Sequence, residues 1–354
     1  MQLPFPLNLR HCGGAAGGAS SRNSKMLRTL SMIRLVVDYL KGRRGPRAHV
    51  TETVLQRFER GCPFIQYQAS GKPRGTLLLI HGVTPRASED PNLVHLARCI
   101  AAFGYRCLTP PLTGLAGFTH DARDIERVSH ALVRAGDVAG EPVSVFAFSY
   151  GASYALSAAA EPNARSCCAR ILGFGAYHQL SEALEHQRQL LVKHPDPALD
   201  DSDVLYLRYT LLACQRDELG LSSTAWGDID EALSNFMAQT PLAHKKRALL
   251  QHAGHFDYVE LMQRYQRRNL PAVLSPAGRL HQVACPVSLL HDPDDRFVPA
   301  SHLNRIRAEL DARTQVEATK ALKTTMLSHV QVNPLINLVD TVRFLRLLAP
   351  SFEA

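Results

Sequence analysis

The sequence lacks several features that define whole classes of protein. No apolar stretch reaches the ~20 residues that a membrane-spanning helix needs. None of the eight cysteines forms a Cys-x-x-Cys pair, and several lie inside apolar runs, which argues against both a zinc site and a disulfide framework. No P-loop is present, and no Gly-x-Gly-x-x-Gly follows a predicted strand, so we expect no nucleotide cofactor.

Acidic residues are nearly absent from the first 50 positions, where Asp38 stands against nine lysines and arginines. The other 304 residues hold 31 basic and 31 acidic residues, so the formal charge of +8 belongs to an N-terminal arm. The arm does not interleave aromatic with basic residues, which argues against nucleic acid as a partner. For the rest of the chain, the net charge gives no sign of an anionic substrate.

The N-terminal arm falls into two parts. Residues 1–25 are rich in Gly, Ala, Ser and Pro, and we predict that they are disordered. Their composition also fits an organelle transit peptide, and a start at Met26 instead of Met1 is a further interpretation. Apolar residues at helical spacing predict an amphipathic basic helix over 26–42. We favour its packing on the body of the protein, with weak membrane-surface contact as the alternative.

From about residue 61 the sequence alternates short apolar runs with helical patterns, which predicts a mostly parallel sheet flanked by helices. We expect 64–68 to form an edge strand. Over 178–284 the alternation stops and helical patterns take over. The predicted organisation is therefore a disordered arm 1–25, an amphipathic helix and linker 26–60, a first part of the α/β core 61–177, a helical insertion 178–284 and a second part of the core 285–354.

Ser149 lies between a predicted strand, Val143–Phe148, and a predicted helix. A serine on a sharp strand-to-helix turn has its hydroxyl forced outward, and the next backbone N–H, that of Tyr150, points at whatever bonds to it. The positions two before and two after must be small because strand and helix cross closely there, and they are Ala147 and Gly151. The run predicts a nucleophile elbow, although the usual first small residue is glycine and not alanine.

Other turns after predicted strands carry polar residues. Upstream of the serine, the apolar run 76–80 leads to His81-Gly82, where glycine allows close backbone approach. Downstream, the turn after a buried strand carries three carboxylates, those of Asp292, Asp294 and Asp295. Among sixteen histidines, His329 is singled out by its place after the last predicted strand.

The chain order of His-Gly loop, Ser149, Asp295 and His329 resembles that of the α/β-hydrolase superfamily, whose triad runs Ser, then Asp or Glu, then His. The resemblance covers most of the chain from about Cys62 onward. It implies the α/β-hydrolase fold, with 178–284 as a helical cap above the serine. It also implies a serine hydrolase that cleaves a carboxylic ester, or a thioester or amide, of a small-molecule acyl substrate without cofactor or metal. The cysteines inside apolar runs fit buried residues of a reducing compartment, so we expect a cytoplasmic location.

Within this resemblance Ser149 is the nucleophile and His329 its base. The pattern Asp-x-x-Val-Pro selects Asp295 as the orienting acid, with Asp292 as the alternative. The oxyanion donors are the backbone N–H groups of Tyr150 and Val83. The residues that support these groups are His81, Gly82, Ala147 and Gly151.

Other functions are compatible with the same sequence features. They are acyl transfer to an acceptor other than water, a lipase-like enzyme at a membrane surface, and a catalytically silent scaffold that binds a partner. The presence of all three triad residues argues against the silent scaffold. Organelle targeting and peripheral membrane attachment through the arm are the alternatives to a cytoplasmic location. The run 252–257, with two histidines and an aspartate, is interpreted as surface residues and not as a metal site.

Overall fold

A computed structural model describes residues 39, 50–55, 64–236, 241–313, 316, 319–325, 327–328, 331–332 and 338–352. Three predicted features lie outside these residues: the disordered arm 1–25, the amphipathic helix 26–42 apart from Tyr39, and the side chain of His329. What the sequence predicts for them stays a prediction.

The strands agree with the predicted fold class. They are β1 Val50–Leu55, β2 Phe64–Ala69, β3 Thr76–Ile80, β4 Arg106–Thr109, β5 Val143–Phe148, β6 Cys168–Phe174, β7 Val287–His291, β8 Lys320–Lys323, β9 Leu327–Ser328 and β10 Gln331–Val332. Eight of them form one sheet in the order β1-β2-β4-β3-β5-β6-β7-β8, and β9 pairs with β10 in a separate antiparallel hairpin. Only β1–β2 and β2–β4 are antiparallel within the described sheet, so it is mostly parallel as predicted.

Two predictions at one edge of the sheet are wrong. Strand β2 is not an edge strand, because β1 covers its outer side from Val50 opposite Ala69 to Leu55 opposite Phe64. The segment 26–60 is therefore not only helix and linker. The strand was missed because its centre is solvent-exposed and polar at Thr51, Glu52 and Thr53, which weakens the apolar signal on which strand prediction depends.

The described residues form eleven α-helices. They are α1 Pro91–Ala102, α2 Thr113–Ala116, α3 Ala122–Ala139, α4 Tyr150–Ala159, α5 Leu180–Lys193, α6 Ser202–Ala213, α7 Ser223–Ser234, α8 Leu242–Ala253, α9 Tyr258–Gln266, α10 Ser301–Asp311 and α11 Leu338–Leu348. None of them combines the length and the apolar character that crossing a membrane requires.

The helices cover both faces of the sheet, because strand side chains alternate between the faces. Leu77 and Leu79 of β3 belong to an apolar cluster with α1 and α11. Leu78 and Ile80 point to the opposite face and join a larger cluster with α3, α4 and α10. A sheet that is apolar on both faces gives the continuous apolar runs seen in the sequence.

Five helices, α5 to α9, lie between β6 and β7, where the strand–helix alternation stops in the sequence. No strand occurs among the described residues of 178–284. The buried residues of these helices, such as Leu184 and Leu205, belong to the same apolar cluster as Ala147 and Ala152. The inserted helices thus pack on the body of the protein, while the division of the chain into domains stays a prediction.

Candidate active site

Ser149 occupies the sharp turn that the sequence predicts. Strand β5 ends at Phe148 and helix α4 begins at Tyr150, so one residue makes the turn. Its backbone has φ 52° and ψ −129°, a conformation that costs a non-glycine residue about 1–3 kcal/mol. The Ser149 N–H donates to the carbonyl of Phe174, at 2.6 Å, which ties the strained residue to the neighbouring strand.

The small residues around the serine are required by space. A Cβ added to Gly151 would lie 2.0 Å from the carbonyl oxygen of His81, so the backbone of α4 touches the His-Gly loop. A Cβ on Gly82 would lie 2.9 Å from the Cβ of Ser149. Ala147 is fully buried beneath them, and its methyl group fits where glycine is more usual. The close crossing therefore tolerates alanine at one position and no side chain at the other two.

The imidazole of His81 bridges two backbone segments in one defined tautomer. The N–H of Leu112 donates to Nε2 at 3.0 Å, so Nε2 carries no proton. Nδ1 then carries the proton and donates to the carbonyl of Gly82 at 2.7 Å. Burial lowers the pKa of His81, which favours this neutral form. In a trans peptide the C=O and N–H point in opposite directions, so this bond fixes the direction of the Val83 N–H.

Asp295 is held rigidly in the turn that follows β7. Its Oδ1 accepts the N–H groups of Phe297, at 2.8 Å, and Val298, at 2.9 Å. The ring of His291 closes the same turn, with Nε2 donating to the carbonyl of Val298 at 2.8 Å. The carboxyl group is buried, which is the setting expected for an acid that orients a catalytic base.

Asp292, the alternative acid, lies earlier in the same turn. Its Oδ1 accepts the N–H of Asp294 at 2.9 Å, and its side chain is also buried. Both carboxylates are thus anchored by backbone amides, and neither is excluded by burial.

The parallel strands bring Ser149 and the turn 292–298 after β7, here called the acid turn, to the same end of the sheet. Phe148 is in register with Phe174, and Phe174 with Leu290, so β5, β6 and β7 end level with one another. Adjacent strands are ~4.8 Å apart, which places the two turns about 10 Å from each other at their bases. His329, the predicted base, lies outside the described residues, although Leu327–Ser328 and Gln331–Val332 on either side of it pair as a hairpin.

The side chain of Tyr150 is enclosed by groups that the sequence did not identify. The ring of His120 stacks on it with centroids 5.0 Å apart and an interplanar angle of 2°. The ring of Tyr177 meets it edge-on at 4.9 Å. Burial lowers the pKa of His120 to about 4, so this histidine is neutral at physiological pH. The Tyr150 hydroxyl accepts a hydrogen bond from Nε2 of Gln187 at 2.8 Å.

The inserted helices also contact the other turns of the site. The Tyr206 hydroxyl on α6 donates to the carbonyl of Val83 at 3.1 Å. In the acid turn, the Arg296 guanidinium pairs with Asp201 at 2.8 Å and Asp203 at 3.2 Å, at the start of the same helix. The sequence gives no signal for Tyr206.

Gln187 does leave a signal in the sequence. It occupies the apolar stripe of its helix, between Leu184 and Leu191, where a polar residue is buried. A buried amide must find hydrogen-bond partners, so its presence there predicts a specific contact.

An open depression of about 410 Å³ lies beside the acid turn. Its walls include His186 and Lys193 of α5, His194 just after that helix, and Asp294, Asp295 and Arg296 from the turn. Ser149, Tyr150 and Val83 do not line it, so it is distinct from the space in front of the serine.

The histidines and the aspartate of 252–257 have separate partners. His252 Nε2 contacts Asp228 Oδ2 at 2.7 Å, and Asp257 caps the start of α9. The ring of His255 packs on Phe256, at 4.3 Å between centroids. Among the residues that the structure describes, no group of three or more His, Cys, Asp or Glu side chains has the arrangement of a metal site.

The sequence profile described as the alpha/beta hydrolase family matches residues 77–323, more than half of the chain. The chain belongs to this family. The matched part of this alpha/beta hydrolase contains Ser149 and Asp295 and ends before His329. Comparison with curated proteins gives no match.

Solved structures share the fold of this alpha/beta hydrolase. An esterase from Pyrococcus furiosus is 12% identical, with a TM-score of 0.50 over 86% of this chain and 90% of that one. A 2,6-dihydroxy-pseudo-oxynicotine hydrolase is 17% identical, with a TM-score of 0.50 over 92% of this chain and 74% of that one. At these identities the likeness establishes the architecture, and the reaction has to be argued from the site.

Proposed function

We propose that this alpha/beta hydrolase is a serine hydrolase that cleaves carboxylic esters through Ser149, His329 and Asp295. The observation that carries the proposal is the backbone of Ser149, which keeps a strained positive φ between β5 and α4. Such strain persists only where the surroundings enforce it, and here it holds the buried serine at the end of the sheet beside the acid turn.

The proposed mechanism uses two backbone donors, the N–H of Tyr150 at the elbow and the N–H of Val83 in the loop after β3. The Ser149 hydroxyl oxygen attacks the ester carbonyl carbon while His329 takes the hydroxyl proton. Asp295 orients the histidine. The carbonyl oxygen becomes an anion that accepts the N–H groups of Tyr150 and Val83. The intermediate collapses, the alcohol leaves with the proton from His329, and water then hydrolyses the acyl-enzyme by the same steps.

The surroundings of Val83 favour an uncharged, apolar acyl group. The Tyr206 ring lies against Phe236, at 5.1 Å between centroids, and near Phe297, at 6.2 Å, and Phe118, at 6.4 Å. A charged acyl group next to these rings would lose hydration that aromatic carbon does not replace. In this proposal the helices of 178–284 form the cap over the serine, and 61–177 and 285–354 form the hydrolase core.

The test is labelling of the purified protein with a fluorophosphonate probe, which reacts with activated serines. Wild type should label, and Ser149→Ala should not. Ser157→Ala is the matched control. Ser157 lies on α4, the helix that follows Ser149, and is fully buried with an unpaired hydroxyl. Removal of that hydroxyl should leave labelling intact. Labelling that survives in Ser149→Ala contradicts the proposal.

The acyl preference is tested with p-nitrophenyl butyrate and a p-nitrophenyl ester of similar length whose acyl chain ends in a carboxylate. The butyrate should show the higher kcat/KM by at least about tenfold, since burial of an unpaired charge disfavours the other ester. Equal rates would show that the acyl group stays in water.

A further inference from the structure

Two side chains from the inserted helices reach the two residues that would donate to the oxyanion. Gln187, on α5, donates from Nε2 to the hydroxyl of Tyr150 at 2.8 Å and to the carbonyl of Phe297 at 3.2 Å. Tyr206, on α6, donates from its hydroxyl to the carbonyl of Val83 at 3.1 Å. Each oxyanion residue therefore has its own hydrogen bond from the segment between β6 and β7.

The hydrogen bond from Tyr206 restrains the second of the two peptide planes on either side of Val83. The peptide plane before Val83 is held by His81, whose Nδ1 donates to the Gly82 carbonyl at 2.7 Å. The peptide plane after it is held by Tyr206. Because each plane is rigid, holding both fixes the backbone angles of Val83 and the direction of its N–H.

The bonds from Gln187 join two turns of the site. The Phe297 carbonyl only accepts, so the atom of Gln187 that faces it is the amide nitrogen. The Phe297 N–H donates to Asp295 at 2.8 Å, so a single buried amide spans from the elbow to the acid turn. The ring of Tyr150 is already packed against His120 and Tyr177, and the bond at its hydroxyl fixes the remaining end.

We propose that Gln187 and Tyr206 are positioning residues that hold the N–H groups of Tyr150 and Val83 in the geometry of an oxyanion hole. The inserted helices would then complete the catalytic site as well as shape the substrate pocket. The proposal rests on the proposed serine hydrolase function. Its physical reason is that donors aimed in advance need no reorganisation when charge develops on the substrate oxygen.

Loss of either bond should affect the transition state more than the bound substrate. The ester carbonyl is a weak acceptor before attack and becomes an anion afterwards, so a misdirected donor costs mainly kcat. A displacement of about 1 Å in such a site costs up to about 100-fold in rate. We therefore expect kcat to fall about 10- to 100-fold in Tyr206→Phe and in Gln187→Met, with KM within about threefold of wild type.

The chain offers a matched control for each variant. Tyr209 lies on the same helix as Tyr206, and its hydroxyl donates to the carbonyl of Lys245 at 2.6 Å and accepts the N–H of Leu249 at 3.1 Å. Gln215 is also a buried glutamine of the inserted segment, and its Nε2 donates to Leu211 and Leu261. Tyr209→Phe and Gln215→Met lose the same hydrogen-bonding groups and should keep kcat within about twofold of wild type.

A second measurement separates positioning from folding. An alkyl trifluoromethyl ketone adds to the serine and places a negative oxygen where the oxyanion forms, so its affinity reports on the donors. Its inhibition constant should rise in Tyr206→Phe and Gln187→Met by about the factor lost in kcat, and stay unchanged in the two controls. Melting temperatures should be similar within each matched pair.

Two results would overturn the inference. One is unchanged kcat and ketone inhibition in both test variants. The other is a loss of kcat in Tyr209→Phe and Gln215→Met as large as in the test variants, which would make the effect one of stability. If wild type itself shows neither turnover nor labelling, the proposed function fails first, and the inference fails with it.

Discussion

At the scale of single residues, the space around Ser149 dictates which residue types fit. The loop from β3, the turn from β5 and the start of α4 approach so closely that Gly82 and Gly151 have no room for a Cβ. The neutral imidazole of His81 fills its place by accepting from one backbone amide and donating to a carbonyl. These contacts make the elbow a rigid unit in which the strained serine is held by its neighbours.

Gly151→Ala should disrupt this unit. The new methyl group would overlap the carbonyl of His81, at 2.0 Å, so strand and helix must separate. We expect a loss of about 3 kcal/mol or more in the free energy of unfolding, measured by urea denaturation, together with loss of the proposed esterase activity. Gly227→Ala is the control. Gly227 lies in the middle of α7, and an added Cβ there would have no atom within 4 Å. The substitution should raise the free energy of unfolding by about 1 kcal/mol. Equal stability of the two variants would contradict this account.

Substitution of the two carboxylates by amides should identify the acid. Asp295→Asn keeps the oxygen that accepts the N–H groups of Phe297 and Val298, so the turn should fold. It removes the charge that would orient and stabilise His329 in the proposed mechanism. We expect kcat for an ester to fall by on the order of 10³- to 10⁴-fold. Asp292→Asn should cost less than about tenfold. The reverse ranking would assign the role to Asp292 and leave the serine mechanism in place.

At the scale of elements, the ends of parallel strands bring together groups that lie far apart in the chain. The register of β5, β6 and β7 sets the serine and the acid turn at one end of the sheet. Helices α5 and α6 donate hydrogen bonds to Tyr150, Phe297 and Val83 there. A second junction lies on the other face of the sheet from α4, where Tyr39 packs on α1. Its ring stacks on His95 at 5.1 Å, and its carbonyl is 2.9 Å from His95 Nε2.

The contact of Tyr39 with α1 predicts the outcome of truncation. Deletion of 1–25 should leave both the melting temperature and the turnover of a soluble ester unchanged. Deletion of 1–42 should lower the melting temperature, because it exposes the apolar surface against which Tyr39 packs, and should leave kcat of the folded protein unchanged.

Point substitution and vesicle binding distinguish the two interpretations of the N-terminal helix. Tyr39→Ala should reproduce part of the loss in melting temperature. If the helix instead docks on a membrane, the full chain should sediment with anionic vesicles at low salt and the truncated chain should not. Unchanged stability after deletion of 1–42 would contradict the packing interpretation.

At the scale of the whole molecule, buried histidines link stability to pH. Burial lowers the pKa of His120 and of His302 to about 4 each, and lowers that of His81 as well, from an ordinary value of 6.5. Below pH 6.5 the unfolded chain therefore binds protons that the folded chain does not. The contribution of these groups to stability is complete above pH 6.5 and is lost as the pH falls towards 4.

The melting temperature should follow this linkage. We expect it to be level between pH 7 and 8 and to fall steadily from pH 6.5 to pH 4.5, as measured by circular dichroism. His120→Phe keeps the stack on Tyr150 and removes one titrating group, so its melting temperature should fall less steeply. His130→Phe, at an exposed position on α3, should follow wild type. If the melting temperature of His120→Phe falls as steeply as that of wild type, the assignment of this pH dependence to His120 is wrong.

The sequence by itself determined the fold class and the elbow. Strand β5 begins and ends where the apolar run predicts, and Ser149 takes the predicted turn, because both depend on neighbouring residues. A strand buried on both faces needs a continuous apolar run, and a tight crossing needs small residues at fixed positions, so both leave a local signature.

Only the tertiary structure decided which distant residues meet. Strand β1 forms because β2 offers an open edge, and its polar sequence gives little sign of this. Gln187 reaches Tyr150 and Phe297, and Tyr206 reaches Val83, through contacts between residues 37 to 123 positions apart in the chain. Such pairs follow from how helices pack on the ends of strands. The sequence shows that an amide in an apolar stripe needs a hydrogen-bond partner. The fold determines which partner it has.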